Sequence, residues 1–427
     1  MPHKEGDKVR VETEDDEFTG ILMPRPDILE KGITVLKLDN GYNIGIESQK
    51  IKKIEVLEEY KQKVAKKTKL EHNKELPNVT IISTGGTISS KVDYRTGGTY
   101  ATLTSDDFIE MMPELANIAN IKAKPIMSKM SEDFDSDDWK KMAEEIVKES
   151  ETADGIVLTM GTDTLHYAAA ALSFFLDIHK PVIITAAQRS IDRGSSDAFM
   201  NLICAVSAAA KFDGAGVYVC MHATINDDYC YLIRGTKVRK MHTSRRDAFR
   251  AINEKPIAKV FYDSGLQVIN HNYSKKKEEK ARFNDKFENK IALIQVHPDM
   301  DPGVIDYYTE KNFKGIVLAA TALGHVPTEG TKSLLPHIKK AIEKGVNVVI
   351  ASQTLYGRVH PYVYTNLRKL SIELKCIFAE DMLPEVAYIK LGYVLAHTTE
   401  HHKVKEMMQT NLKGEINRRL MADEFLN

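Results

Sequence analysis

From Asn78 onward the sequence alternates between two patterns. NVTIIST (78–84), GIVLTM (155–160), PVIITAA (181–187) and GVYVCMH (216–222) are continuously apolar or β-branched, and helix-period segments separate them. Strands with such runs must be covered on both faces, and intervening helices do this in a parallel sheet. DDWKKMAEEIVKES (137–150) carries Trp139, Met142, Ile146 and Val147 on one helical face. After about Asn284 the alternation restarts. KIALIQV, KGIVLAAT and GVNVVIAS read as strands, with helices over 303–312, 331–344 and 361–375 and a helical tail from Glu385 to Asn427. The expected class is α/β, a parallel-sheet unit in two parts: 76–284 and a smaller C-terminal domain over 285–427.

The first 55 residues read differently. KVRVE, FTGILM, ITVLKL and YNIGI are short alternating runs, and Asp39-Asn40-Gly41 is a hairpin signal, since Asn and Gly tolerate positive φ. Residues 1–55 are therefore expected to form a small β-barrel, either a docking module or a stabilising appendage. Residues 56–75 are Lys-rich with acidic residues interspersed, as in a solvated helix or linker. A chain of 427 residues has room for this many parts at about 150 residues per domain.

Composition excludes several function classes. With 59 Lys and Arg against 60 Asp and Glu, no global basic excess coats nucleic acid. Cys204, Cys220, Cys230 and Cys376 form no C-x-x-C pair, so reduced, buried thiols are expected rather than zinc or disulfides. MPHKEGDKVRVETEDDE lacks the apolar stretch of a secretory signal, and AAAALSFFL (168–176) is too short to span a bilayer. A cytoplasmic location without membrane attachment is expected.

Chemistry concentrates in two loops that leave strand ends, where open α/β sheets bind ligands. Thr84-Gly85-Gly86-Thr87-Ile88-Ser89 follows the first strand, and Met160-Gly161-Thr162-Asp163-Thr164 follows the second. Each puts a hydroxyl directly after glycine, where a ligand can approach the backbone closely. Neither G-x-G-x-x-G nor GK[ST] is present, which weighs against a nucleotide site. Two threonines and a carboxylate suit nucleophilic catalysis, provided a base takes the hydroxyl proton.

LPNVTIISTGGTISS and LTMGTDTLHYAAAAL resemble the two signature segments of the type I/II bacterial L-asparaginases. The resemblance covers roughly residues 76–400 and implies an asparaginase-like fold, with Thr87 as nucleophile and a second triad of Thr162, Asp163 and Lys240. It further implies that Ser131 and Glu132 bind the substrate's α-amino and α-carboxylate groups. Glu132 departs from the glutamine usual in that pair. Tyr100, in TGGTYATLT, matches the catalytic tyrosine of the first loop. Lys240 stands among Arg234, Lys237, Arg239, Arg245 and Arg246, and neighbouring cations are expected to favour a neutral amine that can act as a base. A plain basic surface is the alternative.

KMHTSRRDAF, TALGHVPT, LYGRV and AEDMLPEVAYIKLGYVLAHTTE, together with the N-terminal module, are similar to the archaeal glutamyl-tRNA(Gln) amidotransferase branch of that family. That similarity implies a glutaminase supplying ammonia for Glu-tRNA(Gln). It implies a partner, the amidotransferase's E-type subunit, which would hold ATP and Mg and bind the tRNA, and a homodimer within a heterotetramer. No cofactor or metal is expected in this chain. HTTEH (397–401), with His402 beside it, fits a short zinc pattern through His397, Glu400 and His401, but no third protein ligand is evident, and a helix end carrying histidines is the expectation. His325, in ALGHVPT, is a candidate site residue because the matching family loop reaches a neighbouring subunit's active site. The competing readings are a free L-asparaginase, which the N-terminal module opposes, and a non-catalytic scaffold, which the threonine–lysine set opposes.

Overall fold

The computed structural model describes residues 3–23, 32–38, 43–59, 72–85, 90–92, 99–101, 111–189, 195–263 and 265–426. The chain divides into two compact units, 1–71 with 90–102, and 72–89 with 103–427.

In the first unit, β1 (Lys8–Glu12), β2 (Glu17–Met23), β3 (Ile33–Leu38), β4 (Asn43–Glu47) and β5 (Lys53–Glu58) form an antiparallel sheet in the order β4-β3-β2-β1-β5. Alternation places Val9, Val11, Leu22, Leu36 and Ile46 in one small core. The hairpin signal at 39–41 and most of the charged segment lie outside the described residues, although β3 and β4 pair antiparallel from Lys37 and Asn43 outward. A short hairpin of β7 (Ser90–Val92) and β8 (Thr99–Ala101) clusters with this unit, and β6 (Asn78–Ser83), which precedes it, belongs to the second.

The second unit continues with β9 (Asn120–Pro125), β10 (Gly155–Thr159), β11 (Leu176–Asp177), β12 (Pro181–Thr185), β13 (Gly216–His222), β14 (Tyr229–Arg234), β15 (Val238–Lys240), β16 (Phe249–Ala251), β17 (Ala258–Phe261), β18 (Leu266–Val268) and β19 (Arg282–Phe283). The main sheet runs β18-β17-β14-β13-β12-β10-β6-β9. Its five strands β9, β6, β10, β12 and β13 are parallel, as the apolar runs of the last four predict; β9 (NIKAKP) is an edge strand without such a run, and β14, β17 and β18 extend the sheet antiparallel. Helices Ser136–Ser150 and Leu165–Phe175 pack on one face, and Ala198–Lys211 packs on the other. Asp135 caps the first of these: its side chain accepts the N–H groups of Asp137 and Asp138, and Asp138 reciprocates in a capping box. Trp139, Met142 and Ile146 of that helix enter the core as their spacing predicts, with Val147 at its margin.

The C-terminal part is a four-stranded parallel sheet, β20 (Ile291–Gln295), β21 (Gly315–Ala320), β22 (Asn347–Ser352) and β23 (Ile377–Phe378), with its own core. Two helical expectations need correction here. Residues 361–375 contain only a short helix, Thr365–Arg368, that widens into a π-helical turn, Lys369–Glu373. Pro361 and the exposed Tyr362, Val363 and Tyr364 leave nothing to anchor an earlier start. The tail is helical over Pro384–Leu395 and His401–Gln409 and then turns irregular. There the buried Glu415 carboxylate accepts the Leu412 and Lys413 N–H groups and pairs with the buried Lys390 ammonium at 2.5 Å. Among the described residues no helix is long and apolar enough to cross a membrane. All four cysteines are buried and unbridged.

Candidate active site

The order β9-β6-β10-β12-β13 places the first strand of the unit between the second and the third. The chain leaves β6 toward one side of the sheet and later returns to build the other, so the loops after β6 and β10 diverge at a topological switch point, where such sheets bind ligands. The two candidate loops leave from these strand ends. Ser83 and Thr159 are register partners, and the next residue, Thr84, donates both its N–H and its hydroxyl to the Thr159 carbonyl at 3.0 Å. The hydroxyls of Ser83 and Thr159 are buried without a hydrogen-bond partner among the described residues. They are polar groups at the base of the site that the sequence reading passed over.

Two glycines are needed for this junction. Gly85 has φ +106°, and a Cβ there would meet the backbone of Lys129 at 2.8 Å. A Cβ on Gly161 would lie 2.8 Å from the Ser131 hydroxyl. Ser131 thereby nests against the second loop. Its Oγ accepts the Asp163 N–H at 3.2 Å, and its carbonyl accepts the Thr164 hydroxyl at 2.5 Å. Ser131 is buried, whereas the neighbouring Glu132 is exposed.

Lys240 ends β15, which pairs with β16. It reaches the loop after β10 from a position 78 residues later in the chain, donating from Nζ to Thr162 Oγ1 at 2.9 Å and to Asp163 Oδ1 at 2.6 Å. Thr162 also donates to Asp163 Oδ1 at 3.3 Å, closing a three-residue cluster. The lysine side chain is only 10% exposed and the aspartate 63%, so the pair bridges core and solvent. The ammonium beside Asp163 is the main cause holding its carboxyl below the usual aspartate range.

The cationic surroundings expected for Lys240 are not a field of free positive charge. Arg234 pairs with Glu254, Lys237 with Asp381, Arg239 with Glu385, Arg245 with Asp247 and Arg246 with Asp227. Each neighbour is offset by its own carboxylate, and Lys240 by Asp163. Like-charge repulsion, the sequence-level reason for a neutral Lys240, is therefore largely cancelled.

His166, four residues after Thr162, is a buried residue beside the cluster that the sequence reading did not single out. Burial, with Arg239 and Lys240 nearby, pushes its pKa down to about 3. Its Nε2 lies 3.8 Å from Glu385 Oε1, yet burial and the two cations outweigh that carboxylate and keep the ring neutral.

Thr87 lies outside the described residues. Tyr100 is in β8 by its backbone, and its side chain also lies outside the description. His325 closes a turn in which its carbonyl accepts both the N–H and the hydroxyl of Thr321, while its ring meets Tyr364 edge-on at 5.0 Å. His397 and His401 are not one helical turn apart, because the chain between them leaves one helix and enters another. His397 bonds Asn284 and the Tyr393 carbonyl, and His401 bonds Asn347. No three His, Cys, Asp or Glu side chains are grouped to hold a metal among the described residues. An apolar cavity of about 490 Å³, lined by Phe134, Trp139, Tyr167 and Tyr388, touches the site only through Thr164. Hydrogen-bond geometry rather than cavity volume therefore locates the chemistry.

The asparaginase N-terminal domain family matches residues 78–274, the glutaminase/asparaginase C-terminal domain family residues 290–408, and the GatD N-terminal domain family residues 3–57. The D-type subunit of the glutamyl-tRNA(Gln) amidotransferase of Pyrococcus furiosus is 47% identical over 99% of this chain and 97% of its own length. That of Methanothermobacter thermautotrophicus is 43% identical over 98% and 95%. Among solved structures, the thermostable L-asparaginase from Thermococcus kodakarensis superposes with a TM-score of 0.70 at 29% identity, covering 80% of this chain and 99% of that one. An asparaginase-like two-domain α/β unit that follows an N-terminal β unit in the sequence, matched along nearly its whole length by these relatives, places the chain in the GatD family of glutamyl-tRNA(Gln) amidotransferase subunits.

Proposed function

We propose that the chain is the glutamine-hydrolysing subunit of its amidotransferase. The observation that carries this reading is Lys240 Nζ held at 2.9 Å from the Thr162 hydroxyl and 2.6 Å from Asp163 at the switch point of the sheet. Threonine hydroxyls are weak nucleophiles until a neighbouring base takes their proton. In the proposed reaction the Thr87 oxygen attacks the side-chain carbonyl carbon of glutamine. The C–N bond breaks, and the amide nitrogen takes up the proton that the Thr87 hydroxyl gives up and leaves as ammonia. Water then hydrolyses the γ-glutamyl ester, releasing glutamate and restoring the hydroxyl. That water is activated through the cluster: Lys240, as the free amine oriented by Asp163, takes the Thr162 proton while Thr162 takes one from the water, and the proton returns to the Thr87 oxygen as the ester C–O bond breaks. Ser131 and Glu132 hold the substrate's α-amino and α-carboxylate groups, and Tyr100 assists at the first loop. Backbone N–H groups of the two glycine turns stabilise the oxyanion.

Ammonia then passes to the E-type partner, which binds ATP with Mg and amidates Glu-tRNA(Gln) in a cytoplasmic heterotetramer containing two copies of this chain. A second reading exchanges the threonines, with Thr162 attacking first. It is favoured by the direct lysine contact to that hydroxyl. The test is ammonia release from glutamine by the chain alone, with its copurifying partner, and with partner plus Glu-tRNA(Gln). Hydrolysis that rises on adding the last two supports the assignment. A full rate from the chain alone, with no partner recovered, makes it a free amidase instead.

A further inference from the structure

We propose that a cavity distant from the Thr162–Asp163–Lys240 cluster is a binding site for a phosphate group. The cavity encloses about 530 Å³ and is lined by Asp177, His179, Arg234, Lys275, Lys277 and Lys413, among others. Gly216, the first residue of β13, and Arg234, the last residue of β14 and register partner of Tyr218, both line it. It therefore opens at the amino-terminal end of the parallel strands, whereas the candidate catalytic loops leave from their carboxyl ends. This inference is independent of the hydrolytic assignment.

The walls carry Arg234, Lys275, Lys277 and Lys413 beside the Asp177 carboxylate, and Glu254, Asp213 and Glu279 stand within ion-pair distance of the first three. Two of the cations are already committed. Arg234 is chelated by Glu254 at 2.8–3.2 Å, and Lys275 pairs with Asp213. The other two retain donor capacity. Lys413 Nζ donates to the Leu176 carbonyl at 2.8 Å and has no ion pair among the described residues. Burial pushes its pKa down, a cost that a seated anion would offset. Lys277 Nζ forms only a loose ion pair with Glu279 Oε1 at 3.6 Å, without a hydrogen bond, and His179 Nε2 stands 3.4 Å from Glu279 Oε2. Donors arriving from separate chain segments suit a tetrahedral oxyanion better than a planar carboxylate, and lysine binds phosphate as a point charge.

The walls come from segments far apart in the chain. The asparaginase-family matches end at 274 and 408 and leave 275–289 and everything after 408 uncovered. Lys275 and Lys277 come from the first of these segments, and Asn411, Leu412, Lys413 and Gly414 from the second. The second is seated on the cavity's arginine: Gly414 has φ +79°, and a Cβ there would lie 2.6 Å from Arg234 Nη1. These two segments bring Lys277 and Lys413 to the same cavity.

The phosphate could belong to the free ion or to a nucleotide-sized ligand, and calorimetric titration of the full chain in chloride buffer separates them. Inorganic phosphate should bind saturably, and AMP is titrated in parallel. AMP binding more tightly than phosphate assigns a nucleotide, and AMP no tighter than phosphate assigns the ion. Lys413→Met or Lys277→Gln should weaken phosphate binding by about tenfold, the scale of one charged hydrogen bond. Lys277 is on the rim, so its variant decides the matter if Lys413→Met fails to fold. Absence of saturable binding, or unchanged affinity in every folded variant of the two, overturns the proposal.

Discussion

The α/β unit contains a mixed sheet with a parallel core and a smaller parallel sheet, with the same strand-then-helix logic and different strand-end chemistry. After β10 in the large sheet, Thr162 and Asp163 turn outward and meet a lysine from a distant strand. After β21 in the small sheet, the loop closes on itself. Thr321 and His325 exchange backbone hydrogen bonds, and the threonine hydroxyl donates to the same histidine carbonyl. In one loop the hydroxyl pairs with a titratable partner. In the other it is consumed by a turn. Parallel-sheet topology supplies the location for a site, and the side chains that remain unspent at that location supply the chemistry.

The contrast can be tested at both ends. Thr162→Val removes the hydroxyl at nearly constant volume, and Thr87→Val does the same in the first loop. Either should lower glutamine hydrolysis by about a thousandfold or more in a protein that keeps its circular dichroism spectrum. If one variant keeps a tenth of the activity, that threonine is not part of the reaction. A smaller effect is expected at the junction of the loops. Gly161→Ala forces a methyl against the buried Ser131, which should destabilise by about 1–3 kcal/mol, as overpacking does. An unchanged urea midpoint would show that the two loops are not clasped.

His166 provides a pH test. Its native pKa lies near 3 against an ordinary 6.5, so the unfolded chain binds the proton first. The stabilisation is complete above pH 6.5 and is lost as pH falls from 6.5 toward 3. Thermal midpoints recorded from pH 7.5 down to 4.5 should decline, and His166→Gln should flatten that slope. Equal slopes would mean the ring is not held neutral beside Lys240 and Arg239. The smallest effect belongs to the small sheet. His325→Ala should change kcat/KM by less than about tenfold, within the range of a residue that only closes a turn. A larger loss would show that this loop completes a site after all, for instance one in a second copy.

The central strands of both sheets were legible because continuous apolar runs admit few other arrangements, whereas the edge strands β9 (NIKAKP) and β23 (Ile377–Phe378) carry no such run. The antiparallel strands β14, β17 and β18 were not singled out, β17 and β18 because AKVF and LQV are too short to show a pattern. The helix expected over 361–375 failed at an exposed Tyr-Val-Tyr segment. The Lys240 contact with Thr162 and Asp163 fits the resemblance that singled out those residues. The reason first given for a neutral lysine does not survive. Sequence placed five cations around it, but the carboxylates that offset Lys237 and Arg239 stand 144 and 146 residues away, where no local pattern reveals them. His166 was passed over for a related reason: its low pKa arises from burial and from cations that only the fold brings near.

The proposed chemistry rests on Lys240 acting through a proton it can release. Arginine keeps the positive charge and can still pair with Asp163, but it cannot serve as a neutral base. The direct measurement is ammonia release from glutamine by Lys240→Arg, assembled with its partner and Glu-tRNA(Gln), against wild type under the same conditions. A base role predicts a loss of about a hundredfold or more. A folded Lys240→Arg protein working within about threefold of wild type would show that the site needs only a fixed charge, and would contradict the assignment of Lys240 as the base.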